Sequence, residues 1–238
     1  MILSMLLQGG DLFQILLTLL FMLPPMMLAL SLHESAHGYV AWKCGDNTAY
    51  NLGRLTLNPL KHLDPVGFIC LLVFGYGWAN PVPINTRYFK NPKRGMALSA
   101  LAGPVANLLL GTLCAVVAGV LWGCYSYTVY FTTVPAYWTL VLGLLEEALY
   151  FSAMINFVYM TFNMIPVPPF DGSRVLLAFL PTNVYFKIMR YERQIMFGML
   201  IALLALSYLG FSPFSWVATK LTNLIATPIA EAVFFGLQ

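Results

Sequence analysis

The chain has 238 residues, of which 60% are hydrophobic and only 9% are charged. Soluble domains carry about a quarter of charged residues, so this composition excludes an ordinary soluble protein and indicates one embedded in a lipid bilayer. The net charge of +3 does not indicate a nucleic-acid partner, because the basic residues lie in loops between apolar runs.

The first apolar run covers residues 12–42 and is interrupted by Pro24-Pro25. With a rise of about 1.5 Å per residue, this run is longer than one straight membrane span needs. Because proline removes a helical hydrogen bond, we expect a kinked or broken helix whose second half runs from about Met26 to Trp42.

That second half contains the polar motif HESAH at residues 33–37. On a helix, His33 and His37 share one face and can hold one divalent metal, while Glu34 beside them can act as general base on a water molecule. Two unrelated histidines on a buried helix are the alternative, but ionisable groups in membrane helices are costly and usually functional. Lys43 lies about 15 Å further along the helix than His33. The metal site is therefore predicted inside the hydrocarbon, nearer one face.

The next apolar run, Val66 to Trp78, is too short to span a bilayer as a helix. Connections that contain basic residues flank it on both sides, at 43–65 and 79–94. Basic loops stay in the cytoplasm, so a re-entrant or interfacial element is favoured, with a span as the alternative. Such an element is tolerated at membrane depth only where it packs on protein or lines a cavity.

Apolar runs further along the chain predict more spans. Met96 to about Gly123 is a spanning helix, and the aromatic, uncharged segment Tyr125 to Trp138 is typical of a short external loop. A second span covers about Ala148 to Ile165, and two further helices cover 194–210 and 215–235.

Together these runs predict an all-α polytopic membrane protein with about five to six transmembrane helices and a short re-entrant or extended element near the active site. We expect a single membrane-embedded domain, residues 1–238, with a catalytic core at about 26–180 and C-terminal helices at about 194–236. If the first helix runs from outside to inside, the alternation of spans brings His37 and Asp171 towards the cytoplasmic face.

A catalytic zinc takes three protein ligands, so a third ligand must join the two histidines. The remaining candidates are His62 and the acidic residues Asp11, Asp46, Asp64, Glu146, Glu147, Asp171, Glu192 and Glu231. Asp171 is favoured because it follows a proline-rich break at the end of a span, where an unwound backbone can turn a carboxylate inward. An ordinary turn that caps a helix is the alternative.

Asn163 precedes the same break and is the best-placed side-chain amide for stabilising an oxyanion. Its alternative role is a polar residue hydrogen-bonded between helices.

These motifs resemble those of the site-2 protease family, the intramembrane zinc metalloproteases of peptidase family M50, in its compact prokaryotic branch. HESAH matches the family's HExxH, which implies His33 and His37 as zinc ligands and Glu34 as the catalytic acid/base. Residues 163–172, NMIPVPPFDG, resemble the motif NxxPxPxLDG. That resemblance implies Asp171 as the third ligand and Asn163 as a residue on the substrate or oxyanion side.

The resemblance covers about residues 30 to 178 and includes GRLTLNPLKHLDP at 53–65, GWANPVPIN at 77–85 and AGPVAN at 102–107. Two positions depart from the family pattern. Phe170 stands where leucine is usual, and Asn80 stands where lysine is expected. Neither departure removes a ligand.

The resemblance implies a metalloendopeptidase with one zinc per chain. Its expected substrate is a single-pass membrane protein, cut within or near its transmembrane segment. The expected location is the inner membrane of a prokaryotic cell, with the active site towards the cytoplasm. A membrane metal transporter and a catalytically inactive scaffold are the alternatives; one clustered site with a base placed for hydrolysis favours the enzyme. The extended segment 80–85 is a candidate for pairing with an unwound substrate, although its prolines remove strand donors.

Overall fold

The computed structural model describes residues 2, 9, 11–74, 77–132, 134–181, 184, 187–188, 190–210 and 212–238. These residues form helices joined by short connections, and the one β-pairing among them is an isolated antiparallel bridge between Leu63 and Ala79. The helices are α1 (Leu12–Lys43), α2 (Thr48–Asn51), α3 (Pro65–Phe74), α4 (Pro92–Phe131), α5 (Ala136–Asn163), α6 (Asp171–Leu177), α7 (Glu192–Tyr208) and α8 (Pro213–Gly236). The predicted all-α fold class is confirmed.

Within the described residues, three helices are long and apolar enough to cross a membrane: α1, α4 and α5. The chain is therefore a polytopic membrane protein. The helices α7 and α8 lie close to the predicted bounds of the two C-terminal helices. The connection before α7 falls partly outside the described residues, at 182–183, 185–186 and 189.

Helix α1 is continuous through Pro24-Pro25. The expectation of a helix broken at these prolines is therefore wrong. Its start is fixed by Asp11, whose side chain accepts a hydrogen bond of 2.7 Å from the backbone N–H of Gln14. Because the two prolines are adjacent, the helical hydrogen bonds that they remove fall in a single turn. The remaining turns carry the helix unbroken to the metal motif.

Helix α4 contains the predicted span from Met96 to Gly123 but continues to Phe131. The loop predicted for Tyr125 to Trp138 is therefore wrong; the turn lies at 132–135, of which residue 133 is outside the described residues. The hydroxyl of Thr128 donates to the backbone carbonyl of Tyr125 at 2.8 Å. Such bonds satisfy polar side chains within the helix, so a threonine-rich composition does not force a loop here.

The segment predicted as re-entrant forms the ten-residue helix α3, and residues 75–76 after it lie outside the described residues. The chain then returns beside its own entry point, where the N–H of Asn80 donates to the carbonyl of His62 at 2.8 Å. A Cβ on Gly67 would lie 2.2 Å from the carbonyl oxygen of Trp78. The residues before and after α3 therefore contact each other, and the glycine permits this close approach.

Helix α4 packs against α1, α5, α6 and α8 and is the centre of the bundle. A core cluster joins Cys114 and Ala115 of α4 to Ala153 and Phe157 of α5 and Ala218 of α8. Small residues let membrane helices approach closely in the absence of a strong hydrophobic driving force. The same helix reaches the metal motif with its N-terminal half.

Candidate metal centre

The structure brings the three predicted metal ligands together. His33 and His37 lie one turn apart on α1, and their Nε2 atoms are 3.0 Å apart. Oδ2 of Asp171 lies 3.0 Å from Nε2 of His33 and 3.1 Å from Nε2 of His37. All three residues are buried, at 5%, 7% and 8% exposure. Among the described residues they form the one group of side chains that could hold a metal ion.

The geometry of this triangle fits a divalent metal. Ligand atoms of a tetrahedral site with bonds of about 2.0–2.1 Å are separated by about 3.3 Å, close to the three separations seen here. Two imidazole nitrogens and one carboxylate oxygen are a donor set that zinc uses in catalytic sites, where a fourth position stays open for water or substrate. The chemistry of the donor set therefore suits a catalytic zinc.

Asp171 reaches the histidines because the chain unwinds after α5. That helix ends at Asn163, and a proline-rich connection leads to α6, whose first residue is Asp171. The hydroxyl of Ser173 donates to the carbonyl of Phe170 at 2.6 Å and closes the first turn of α6. The proline break thus places a carboxylate against α1 from a distant part of the sequence.

Electrostatics keep this carboxylate ionised. Burial by itself raises the pKa of Asp171, but the hydrogen bonds with His33 and His37 and the charges of the two rings hold it well below its ordinary value. A bound cation could replace the ring protons of His33 and His37 as the positive charge beside this carboxylate.

Glu34 is also buried, at 8% exposure, but it does not belong to the ligand triangle. Its Oε2 accepts a hydrogen bond of 2.9 Å from the backbone N–H of Val82. Val82 belongs to an extended segment that is anchored at Asn85, whose N–H donates to Oδ2 of Asp46 at 2.6 Å. One carboxylate oxygen of Glu34 is therefore oriented by this segment, which leaves the other for a proton-transfer role.

Two other sequence candidates lie apart from the triangle. The amide of Asn163 donates to the carbonyl of Tyr159 on its own helix at 3.0 Å. His62 is fully buried, and its Nε2 lies 2.8 Å from the carbonyl oxygen of Thr56. The oxyanion role of Asn163 therefore stays a prediction, and His62 is not part of the group that could hold a metal.

Helix α4 holds both histidines in place, a role that was not predicted from the sequence. Nδ1 of His37 lies 2.7 Å from the carbonyl oxygen of Ser99, and Nδ1 of His33 lies 2.5 Å from Oδ1 of Asn107. Between them, a Cβ on Gly103 would lie 2.5 Å from Nε2 of His37 and 2.6 Å from Cε1 of His33. These three α4 residues follow one another at intervals of four and share one helix face. That spacing of small and polar residues in an apolar helix was the available signal.

The departure at Phe170 is accommodated beside the ligand. Its ring is buried and packs edge-on against Phe162 of α5, with 4.3 Å between ring centroids. Aromatic pairs favour this arrangement, so the larger side chain fills the space next to Asp171 without displacing it.

The site has the parts of a metal-dependent hydrolase. A membrane-spanning helix supplies two histidines one turn apart and a buried glutamate beside them, and a separate segment supplies a carboxylate. The model of Peptidase family M50 matches residues 21–206. The chain therefore belongs to peptidase family M50, and it is a metallopeptidase.

Relatives agree with this assignment. The protein named "Putative zinc metalloprotease YwhC" of Bacillus subtilis (strain 168) is 40% identical over 173 residues, which cover 70% of this chain and 72% of YwhC. The proteins named "Putative zinc metalloprotease Rip2" of Mycolicibacterium smegmatis and of Mycobacterium tuberculosis H37Rv are each 28% identical over 156 residues. Those matches cover 63% of this chain and 53% of each Rip2, so the chain spans about half the length of these two relatives. No solved structure matches the chain significantly.

Proposed function

We propose that this protein is a zinc metalloprotease that hydrolyses a peptide bond within or near the transmembrane segment of a membrane-protein substrate. The observation that carries the proposal is the triangle of His33, His37 and Asp171, whose two histidines lie with Glu34 on the spanning helix α1. The names of the relatives and their family support zinc as the metal and peptide hydrolysis as the reaction.

The depth of the site supports an intramembrane substrate. Helix α1 ends at Lys43, whose ammonium lies 4.5 Å from the centre of the Trp42 ring. Tryptophan and lysine at a helix end are typical of the membrane–water interface. His33 lies about 15 Å from Lys43, back along the helix axis, which is about half the thickness of the hydrocarbon.

The protein's residues divide the reaction between them. Zinc, when bound by His33, His37 and Asp171, supplies an electrophilic centre that polarises a carbonyl group and acidifies water. Glu34 takes one proton from the attacking water molecule while the oxygen of that water forms a bond to the carbonyl carbon. Glu34 then delivers that proton to the amine nitrogen as the C–N bond breaks. Val82 holds the other oxygen of Glu34 throughout.

Asn163 has a further role in this proposal. Its amide now donates to Tyr159, and a rotation of the side chain would free both N–H groups. An amide aimed at the developing oxyanion would stabilise it, and such a donor is worth about 10²–10³ in rate where it has been removed from hydrolases.

The substrate must expose its backbone, because a helix hides its carbonyl groups in internal hydrogen bonds. The extended segment 80–85 lies next to Glu34 and is the natural surface for an unwound strand. Its N–H groups at Asn80, Val82 and Asn85 are already paired, and residues 81 and 83 are prolines. The carbonyl oxygen of Asn80 already accepts from Arg54 at 2.7 Å, so the segment would receive a substrate strand chiefly through the carbonyl oxygens after Pro81.

The cytoplasmic side is proposed for the active site. Three helix ends lie near the metal centre: the C-terminal end of α1, the N-terminal end of α4 and the C-terminal end of α5. The connections at these ends, together with the adjoining helix termini and α6, carry most of the basic residues, and basic loops remain on the cytoplasmic side. Because the named relatives are bacterial, the inner membrane of a prokaryotic cell is the proposed location.

The test uses the full-length protein in lipid vesicles with a reporter that carries one transmembrane segment. We expect Glu34→Gln to bind one zinc per chain, as the wild type does, and to lose cleavage, because the ligands remain and the proton carrier is gone. Zinc content by elemental analysis and product detection by mass spectrometry give the two readouts.

His62→Gln is the matched control, because it changes the one histidine outside the metal triangle and should retain zinc. Cleavage by Glu34→Gln at the wild-type rate would contradict the role of Glu34. Zinc transport into the vesicles without cleavage would instead support the transporter alternative.

A further inference from the structure

A chain of buried side-chain amides runs from His33 through α4 to α5. Oδ1 of Asn107 lies 2.5 Å from Nδ1 of His33. Nδ2 of Asn107 donates to the carbonyl oxygen of Ala29 at 3.2 Å and to Oδ1 of Asn156 at 2.9 Å. Nδ2 of Asn156 donates to the carbonyl oxygen of Ser152 at 2.8 Å. Both asparagines are fully buried, so their hydrogen-bonding partners are those of the protein.

The backbone carbonyls fix the direction of this chain. The Ser152 carbonyl can only accept, so Asn156 presents its NH₂ group there and its oxygen to Asn107. Asn107 then faces two acceptors with its NH₂ group, which leaves its oxygen towards His33. An oxygen opposite Nδ1 requires a proton on Nδ1. Nε2 of His33, which faces Asp171 and His37, is then the ring nitrogen that can give up a proton and present a lone pair to a metal.

We propose that Asn107, held in orientation by Asn156, is a positioning residue that fixes the ring orientation and tautomer of His33 for zinc binding. The proposal rests on the proposed function, since it takes His33 as a zinc ligand. Histidines that bind metals almost always donate their other ring N–H to an acceptor, and loss of that acceptor costs about 10–100-fold in metal affinity or activity.

The two histidines differ in how they are held, which provides an internal reference. His37 uses the backbone carbonyl of Ser99, which no side-chain substitution removes. His33 uses a side-chain amide whose orientation depends on a second amide. A change at Asn107 should therefore affect one ligand and spare the other.

The experiment measures zinc affinity and the ring protons of the zinc-loaded, full-length protein in lipid nanodiscs. Chelator competition gives the affinity, and NMR with ¹⁵N-labelled histidine gives the protons, because the chain has only three histidines. We expect Asn107→Leu to weaken zinc binding by about 10–100-fold. The Nδ1 proton of His33 should lose its hydrogen-bonded downfield shift, while that of His37 keeps its own.

Three further variants separate positioning from general damage. Asn107→Asp retains the acceptor and should keep the His33 proton signal and bind zinc more tightly than Asn107→Leu. Asn156→Leu frees Asn107 to flip and should weaken zinc binding by less than Asn107→Leu does. Ser152→Ala keeps the carbonyl that ends the chain and should match the wild type in both readouts.

Zinc affinity of Asn107→Leu within about twofold of the wild type, far below the cost expected for a lost acceptor, would overturn the proposal. Equal loss of the His33 and His37 signals in folded Asn107→Leu would do the same, since Asn107 would then not act on His33 in particular. If Asn107→Leu does not fold, Asn156→Leu decides, because wild-type zinc affinity there removes the basis for a relay. Wild-type protein that binds no zinc would overturn the proposed function itself.

Discussion

In both halves of α4 a glycine permits a close approach, but the two approaches serve different purposes. In the N-terminal half, Gly103 lets the helix lie against the imidazole rings of His33 and His37. In the C-terminal half, Gly119 lets the same helix lie against the backbone of α8, where a Cβ would be 2.6 Å from the carbonyl oxygen of Ala226. One close approach shapes a metal centre and the other holds two helices together. A glycine in a membrane helix therefore has to be interpreted by what lies opposite it.

The largest effect is expected at Gly103. In Gly103→Ala the new methyl group would lie 2.5 Å from Nε2 of His37, so the rings must move out of the ligand triangle. We expect the variant to retain less than about a tenth of the zinc affinity, in line with losses seen when ligand orientation is disturbed. Chelator competition on the purified protein measures this.

Once the proteins are stripped of zinc, Gly103→Ala should cost less thermal stability than Gly119→Ala, because imidazole rings can move aside more readily than backbone atoms. A large loss of apoprotein stability with unchanged zinc affinity would place Gly103 among the packing residues and remove the contrast between the two halves.

The second effect is expected at Gly119 and should be one of stability. In Gly119→Ala the methyl group meets backbone atoms of α8, which cannot swing aside as a side chain can. Overpacking of this kind costs about 1–3 kcal/mol in the free energy of unfolding. Unfolding by a denaturing detergent, followed by helical circular dichroism, measures the loss.

The folded fraction of Gly119→Ala should bind zinc with the affinity of the wild type. Weaker zinc binding in that fraction would show that the packing of α8 is transmitted along α4 to the metal centre.

Sequence patterns predicted the metal ligands but not the residues that hold those ligands in place. The helical spacing of His33 and His37 is a local signal, and the proline-rich break before Asp171 is another. Their convergence could be expected because positive-inside counting placed both at one face. The roles of Ser99 and Asn107 could not be predicted in the same way, because a hydrogen bond between two helices depends on their relative rotation.

Helix boundaries were the weaker part of the sequence analysis. The adjacent prolines in α1 suggested a break, but two missing hydrogen bonds in one turn did not outweigh the rest of a long apolar helix. The tyrosines and threonines of the segment from Tyr125 favour a loop by composition. Side chains such as Thr132, whose hydroxyl donates to the carbonyl of Thr128 at 2.8 Å, are instead satisfied around the end of α4.

The smallest effect is expected at Gly111. This residue lies between the half of α4 that contacts the metal ligands and the half that packs against α8. A Cβ there would lie 3.0 Å from Cε1 of Phe157 and 3.2 Å from Cβ of Asn156. The phenylalanine ring can yield by a few tenths of an ångström, and alanine is favoured over glycine in a helix by about 1 kcal/mol. We therefore expect Gly111→Ala to change the free energy of unfolding by less than about 1 kcal/mol and to leave zinc affinity unchanged. Because Asn156 is its other neighbour, a clear loss of zinc affinity would mean that the amide relay extends the metal centre into the packed half of α4.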